Sequence, residues 1–163
     1  DLGQGDAALS ADIVWSEGGL SAGMWVSSGD AAMGTEYDIF AGYSGSVGEL
    51  SYGITYITYI YPSSDVLNGA GDLEEGVYSL GYGPVSLTVY DSLAGDYSYT
   101  TVGYDVGDFS LMYGVHDNGA NDQENFDVTY SYNDSLSFTY SVPFGSTVEE
   151  AEPTLVASYS LPF

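Results

Sequence analysis

From Ala8 onward, apolar residues recur at every second position in short segments separated by Gly, Asn, Asp, Ser or Pro. Period-two alternation bounded by turn residues predicts β-strands with one apolar face. Eleven such segments are readable. In the first, Leu9, Ala11, Ile13 and Trp15 share one face, and Ser10, Asp12, Val14 and Ser16 the other. The second sets Leu20, Ala22, Met24 and Val26 against Ser21, Gly23, Trp25 and Ser27. The third sets Tyr37, Ile39, Ala41 and Tyr43 against Glu36, Asp38, Phe40 and Gly42. Leu50 to Tyr61 forms the longest and most apolar segment, and seven more follow, the last carrying Leu155, Ala157, Tyr159, Leu161 and Phe163.

The opposite face decides between architectures. A soluble sandwich buries its apolar face and exposes charges of both signs. Here the second face carries mainly Ser, Thr, Gly and a few carboxylates. That arrangement suits apolar side chains facing lipid around a polar interior, in strands of about ten residues that cross a bilayer at a tilt. The pattern therefore predicts an all-β fold, an antiparallel up-and-down transmembrane β-barrel, with residues 1–163 as a single domain.

Connection lengths support this reading and assign sides. Short links at Glu17–Gly19, Ser46–Glu49, Gly83, Gly107–Asp108 and Asn133–Ser135 alternate with links at 28–35, 62–75, 94–96, 117–123 and 145–152. Outer-membrane barrels have short periplasmic turns and longer external loops. Phe163 then falls on the periplasmic side and Asp1 on the external side. An antiparallel sheet closes on itself only with an even strand number. Eleven visible strands therefore predict a closed form of twelve, with the first strand lying before residue 1 or supplied by another chain.

Composition removes whole classes of function. The chain has 24 Asp and Glu, one His and no Lys or Arg, a formal charge of -24, where average usage would give about 20 basic residues. Nucleic-acid binding lacks its cationic partners, as do anchoring on anionic lipid and any Lys nucleophile or Arg clamp. The absence of Cys excludes disulfides and thiolate metal sites. Disorder, which a high net charge also favours, conflicts with 44% hydrophobic and 15% aromatic residues, 17 of them Tyr.

Several stretches resemble the TorF-type porin family. They are Asp6-Ala-Ala-Leu-Ser-Ala-Asp-Ile-Val-Trp15, Gly19-Leu-Ser-Ala-Gly-Met-Trp-Val-Ser-Ser28, Glu36-Tyr-Asp-Ile-Phe-Ala-Gly-Tyr-Ser-Gly45 and the Tyr-rich Leu50 to Pro62. Tyr159, Leu161 and the terminal Phe163 resemble the signal read by the outer-membrane assembly machinery. The likeness is specific over residues 1–62 and one of pattern beyond them. It implies a small bacterial outer-membrane barrel of twelve strands, acting as a porin. Two departures stand out: the family's aromatic-Arg-Gly strand before this region is missing, and so is its ordinary complement of Lys and Arg.

Parity points Asp12, Glu36, Asp38, Asp105 and Asp127 inward. Carboxylates without basic partners need water or a cation around them, and a wet acidic interior favours cations. A narrow, passive, cation-preferring channel follows, with a packed, non-conducting interior as the alternative. Tyr59 and Tyr61 share the inward parity and narrow the passage, while the remaining Tyr excess suits rings at headgroup depth. No cofactor is expected beyond Ca²⁺ or Mg²⁺ at the acidic external loops. The oxygen-rich run with Asp117, Asn121, Asp122 and Glu124 is the candidate there, although its spacing is not that of an EF-hand. Divalent ions would also bridge these loops to lipopolysaccharide phosphates. His116, the one imidazole, lies inward near the outer end of its strand with no nucleophile motif beside it, and no enzymatic activity is expected.

A different class of function remains open. Unpaired first and last strands are templates for another chain, so strand donation would build a homo-oligomer, fibre, tube or surface array at an extracellular or cell-surface location. The absence of Lys and Arg would protect such an assembly from trypsin-like proteases.

Overall fold

The computed structural model describes residues 7–30, 34–119, 123–145 and 152–161. Eleven strands are present among them: β1 (Ser10–Glu17), β2 (Leu20–Asp30), β3 (Gly34–Val47), β4 (Leu50–Ile60), β5 (Leu73–Tyr82), β6 (Val85–Ser92), β7 (Ser98–Val106), β8 (Phe109–Asp117), β9 (Gln123–Ser131), β10 (Leu136–Phe144) and β11 (Thr154–Tyr159). They form one antiparallel sheet in chain order without a crossover, and no helix accompanies it. The all-β, up-and-down reading of the alternation holds.

Closure is a different matter. The order runs from β1 to β11 and ends there, because these two strands do not pair with each other. Both have odd numbers and run the same way, so direct pairing would be parallel. Each is exposed along its whole length.

No second layer of strands or helices covers either face among the described residues. Among the described residues no hydrophobic side chain is buried. The accessible surface is 10727 Å² for 17.2 kDa, whereas a compact monomer of that mass exposes about 7,800 Å². A two-layer sandwich is therefore excluded. The faces are nonetheless unequal. Ile54, Tyr56, Tyr78, Leu80, Val102 and Tyr104 are exposed on one, while Thr55, Ser79, Thr101 and Gly114 on the other are half-buried or buried. A single layer shelters one face only by curling, which makes the small, hydroxylic face concave and the aliphatic and phenolic face convex.

Register reinforces this sorting. Small residues sit opposite one another across the inner face, as at Gly42↔Thr55 and Gly53↔Ser79. Thr129 and Thr139 share a hydrogen bond of 2.8 Å. On the outer face larger pairs meet, including Phe109 and Tyr130 with ring centroids 5.1 Å apart.

The turns divide as their lengths predict. At Gly18–Gly19, Gly48–Glu49, Gly83–Pro84 and Gly107–Asp108 the leading glycine has φ between 56° and 63°, the geometry of the primed turns that match strand twist. At the other end, β2 reaches Asp30 and β3 begins at Gly34, with a register shift between Ser27 and Asp30. The link expected over 28–35 is shorter than its sequence suggests, because a bulge carries the ladder into it. The link expected over 62–75 is shorter too: Leu73, Glu74 and Glu75 belong to β5, opposite Tyr59, Thr58 and Ile57. This loop folds back on its own strands, with Gly71 N–H donating to Thr58 Oγ1 at 2.9 Å, and leaves Thr58 5% exposed on the convex side.

Two glycines test the backbone account. Gly107 (φ +59°) has open space where a Cβ would go, whereas a Cβ on Gly29 (φ +64°) would collide with the Gly34 carbonyl. Gly107→Ala is expected to cost about 1 kcal/mol through its left-handed backbone alone. Gly29→Ala should cost clearly more, because the bulge itself must move. Urea unfolding of both variants checks the order, and equal losses would contradict it.

Candidate functional site

The concave face has two different halves. Toward the short turns Ser44, Ser46, Ser51, Ser79, Gly81, Ser86 and Thr88 surround an open cavity of about 500 Å³. Their small side chains are what leave it empty. Toward the long loops the same face carries tyrosines and acids.

Glu75 is the centre of the second half. It is 8% exposed and accepts a hydrogen bond of 2.7 Å from Tyr59 Oη. Its charge also acts on Asp38, Tyr61, Tyr90 and Tyr97. On β3, Glu36 accepts 2.6 Å from Tyr61 Oη. Asp38, two residues on and on the same face, has its Oδ1 fully buried with no donor among the described residues.

The aromatic side of this region is continuous. Tyr90 and Tyr99 lie with centroids 5.8 Å apart, and Tyr99 stacks on His116 at 3.9 Å and 14°. Tyr97 Oη lies 2.8 Å from His116 Nδ1. Tyr99 donates to Asn125 Oδ1 (3.1 Å), Asn125 Nδ2 donates to Asp127 Oδ1 (3.1 Å), and Ser141 Oγ donates to the same oxygen (2.6 Å). A hydrogen-bonded chain thus runs from β7 to β10 across the inner face. Burial first, and then the bond to Glu36, holds the Tyr61 phenol above its ordinary pKa. Burial and the charge of Glu75 do the same to Tyr97. Both therefore stay protonated donors at neutral pH.

The five inward acids named from parity separate into four places. Glu36 and Asp38 share the inner face of β3, where the charge of Glu75 reaches Asp38, and Asp127 belongs to the chain at β9. Asp105 lies by the short turns, where it accepts 2.6 Å from Ser110 Oγ. Asp12 is exposed on the edge strand β1. The alternation places Glu75 in the 62–75 loop, since β5 shows no apolar residue at Glu74 or Gly76 to extend it. Counting back two by two from Val77 would have placed it inward.

The acids on the convex side behave differently. Glu74 accepts a hydrogen bond from Tyr56, and Glu124 from Tyr113 at 2.7 Å. Both pairs sit at the long-loop end, where a phenol and a carboxylate meet on an otherwise apolar face. Glu124 therefore lies in β9, while Asp117 ends β8 and accepts 2.9 Å from Gly119 N–H. Asn121 and Asp122 of the same candidate set, and Phe163 of the C-terminal signal, lie outside the described residues. Among the described residues no group of three His, Asp or Glu side chains is placed to hold a metal ion. Tyr159 and Leu161 are 67% and 69% exposed.

No protein-family model matches this chain, and no curated protein or solved structure is detectably similar to it.

Proposed function

We propose that the chain is a small bacterial outer-membrane β-barrel of the TorF porin type, forming a narrow, passive pore that prefers cations. The observation that carries the reading is the exposed apolar face of a sheet with no buried hydrophobic core among the described residues. Water does not tolerate so much contiguous apolar surface on a monomer, and lipid accepts it. A strand of 11 residues such as β4 is about 37 Å long. Tilted by about 40° it spans roughly 28 Å, close to the apolar band of outer-membrane barrels. The Tyr56–Glu74 and Tyr113–Glu124 pairs fit headgroup depth at the external rim.

Inside, the acids and the lack of any Lys or Arg give a negative potential throughout. Lipid and lipopolysaccharide are the outer partners in this reading. The assembly machinery reads Tyr159, Leu161 and Phe163, and a twelfth strand antiparallel to β1 and β11 closes the wall. In planar bilayers separating unequal KCl solutions, purified protein is expected to conduct with a reversal potential of cation-selective sign. A silent bilayer, or anion selectivity, would refute the pore.

The unpaired edges of β1 and β11 favour a second reading, a structural subunit joined to its neighbours by strand pairing. Negative-stain microscopy of detergent-free protein separates the two, because ordered fibres, tubes or arrays would favour assembly.

A further inference from the structure

We propose that the passage is asymmetric: a belt of ring side chains in the half of the concave face nearer the long loops is its constriction, and the serine-lined half nearer the short turns is a wide vestibule. This rests on the pore reading and deepens it, by saying where the pore selects for size and which residues do so.

Register puts the rings on one face, because directly opposed residues, and residues two apart on one strand, point the same way. Trp25 lies opposite Asp38, and Asp38 opposite Tyr59. Phe40, two residues beyond Asp38, lies opposite Ile57, and Ile57 opposite Glu75. Val77, two residues beyond Glu75, lies opposite Tyr90, Tyr90 opposite Tyr99, and Tyr99 opposite His116. Every strand from β2 to β8 except β5 therefore places a ring on this face. All of these rings are half-buried, whereas Tyr78 and Tyr104 on the convex face are exposed.

The same strands carry no such bulk toward the short turns. Ser44, Gly53, Ser79 and Thr88 lie in direct register there, and Gly81 sits between Ser51 and Ser86 in the next row. This is where the open cavity of about 500 Å³ lies. The rings, by contrast, are held in place. Tyr59 donates to Glu75 at 2.7 Å and Tyr99 to Asn125 at 3.1 Å, while Tyr99 stacks on His116. A Cβ on Gly114 would collide with the Tyr99 ring, which leans across β8 over the space that glycine leaves. Resistances in series add, so the narrow segment of a pore governs both its conductance and the largest solute it admits.

The test is single-channel conductance of the full chain in planar bilayers, with polyethylene glycols of graded size added to one side at a time. A polymer that fits the vestibule but not the belt is expected to lower the conductance from one side only. Tyr90→Ala/Tyr99→Ala should raise the conductance about twofold or more and make the polymer effect more nearly equal from the two sides. Ser86→Leu, which adds bulk to the wide half, should leave the conductance nearly unchanged. Tyr90→Ala alone should raise it in the same direction, and it decides the matter if the double variant fails to fold. Polymer effects equal from both sides in the wild type, or a conductance indifferent to Tyr90→Ala, overturn the constriction and leave the pore. A silent wild type beside a conducting Tyr90→Ala variant keeps the belt, as a complete closure, and removes the open pore. Silence in every variant removes both.

Discussion

Ion selectivity is expected to change sign in the double variant Asp38→Lys/Asp127→Lys. Both side chains belong to the inner face, Asp38 beside Glu36 and Asp127 among Asn125 and Ser141. Each replacement puts a positive charge in place of an acid where low-dielectric walls focus the field. Such focusing changes local counter-ion concentration about tenfold or more, and exposed charges on the far side of the wall do not share it. The corresponding double variant Asp38→Asn/Asp127→Asn should weaken cation preference without reversing it. Glu124→Lys, on the convex face and paired with Tyr113, should leave it nearly unchanged. Reversal potentials in planar bilayers measure all four proteins. A double-lysine variant that keeps the wild-type sign would mean that ions do not pass along this face.

The local character of period two explains why so much of the fold was readable. Each of Tyr78, Leu80 and Tyr82 needs only its neighbours to declare a face, and all three are exposed together. The leading glycines of the short turns declare themselves equally locally. What escaped depends on distance. Glu75 looks like a loop residue because Glu74 and Gly76 beside it are not apolar, and only the ladder with β4 draws it into a strand. Thr58 has outward parity yet is buried, since the following loop bends back to hydrogen-bond it. Tyr90, Tyr97 and Tyr99 read as three more members of a Tyr-rich chain. Register sets Tyr90 opposite Tyr99 and Tyr99 opposite His116, and alternation within one strand does not encode its register with the next. Closure was inferred from the parity of strands rather than from any residue, and the edges of β1 and β11 stay unpaired.

The direction of the apolar face admits a sharper experiment than conductance. Val102 lies at the middle of β7, 46% exposed on the convex side. Ser79 is near the middle of β5 on the concave side and lines the open cavity. An arginine facing hydrocarbon at mid-bilayer costs about 2–4 kcal/mol, while one facing a wet interior costs far less. Val102→Arg is therefore expected to lose about 2–4 kcal/mol of folding stability in phospholipid vesicles, and Ser79→Arg much less than that. Serine is small and its surroundings are open, so the inner arginine meets water and nearby acids rather than a packed core. In a water-soluble assembly joined only at β1 and β11, neither substitution would meet lipid, and the gap between them would vanish. Urea titrations in vesicles, read by tryptophan emission from Trp15 and Trp25, give both free energies. Equal losses at the two positions would leave no reason to place Val102 against lipid, and a larger loss at Ser79 would turn the sheet inside out.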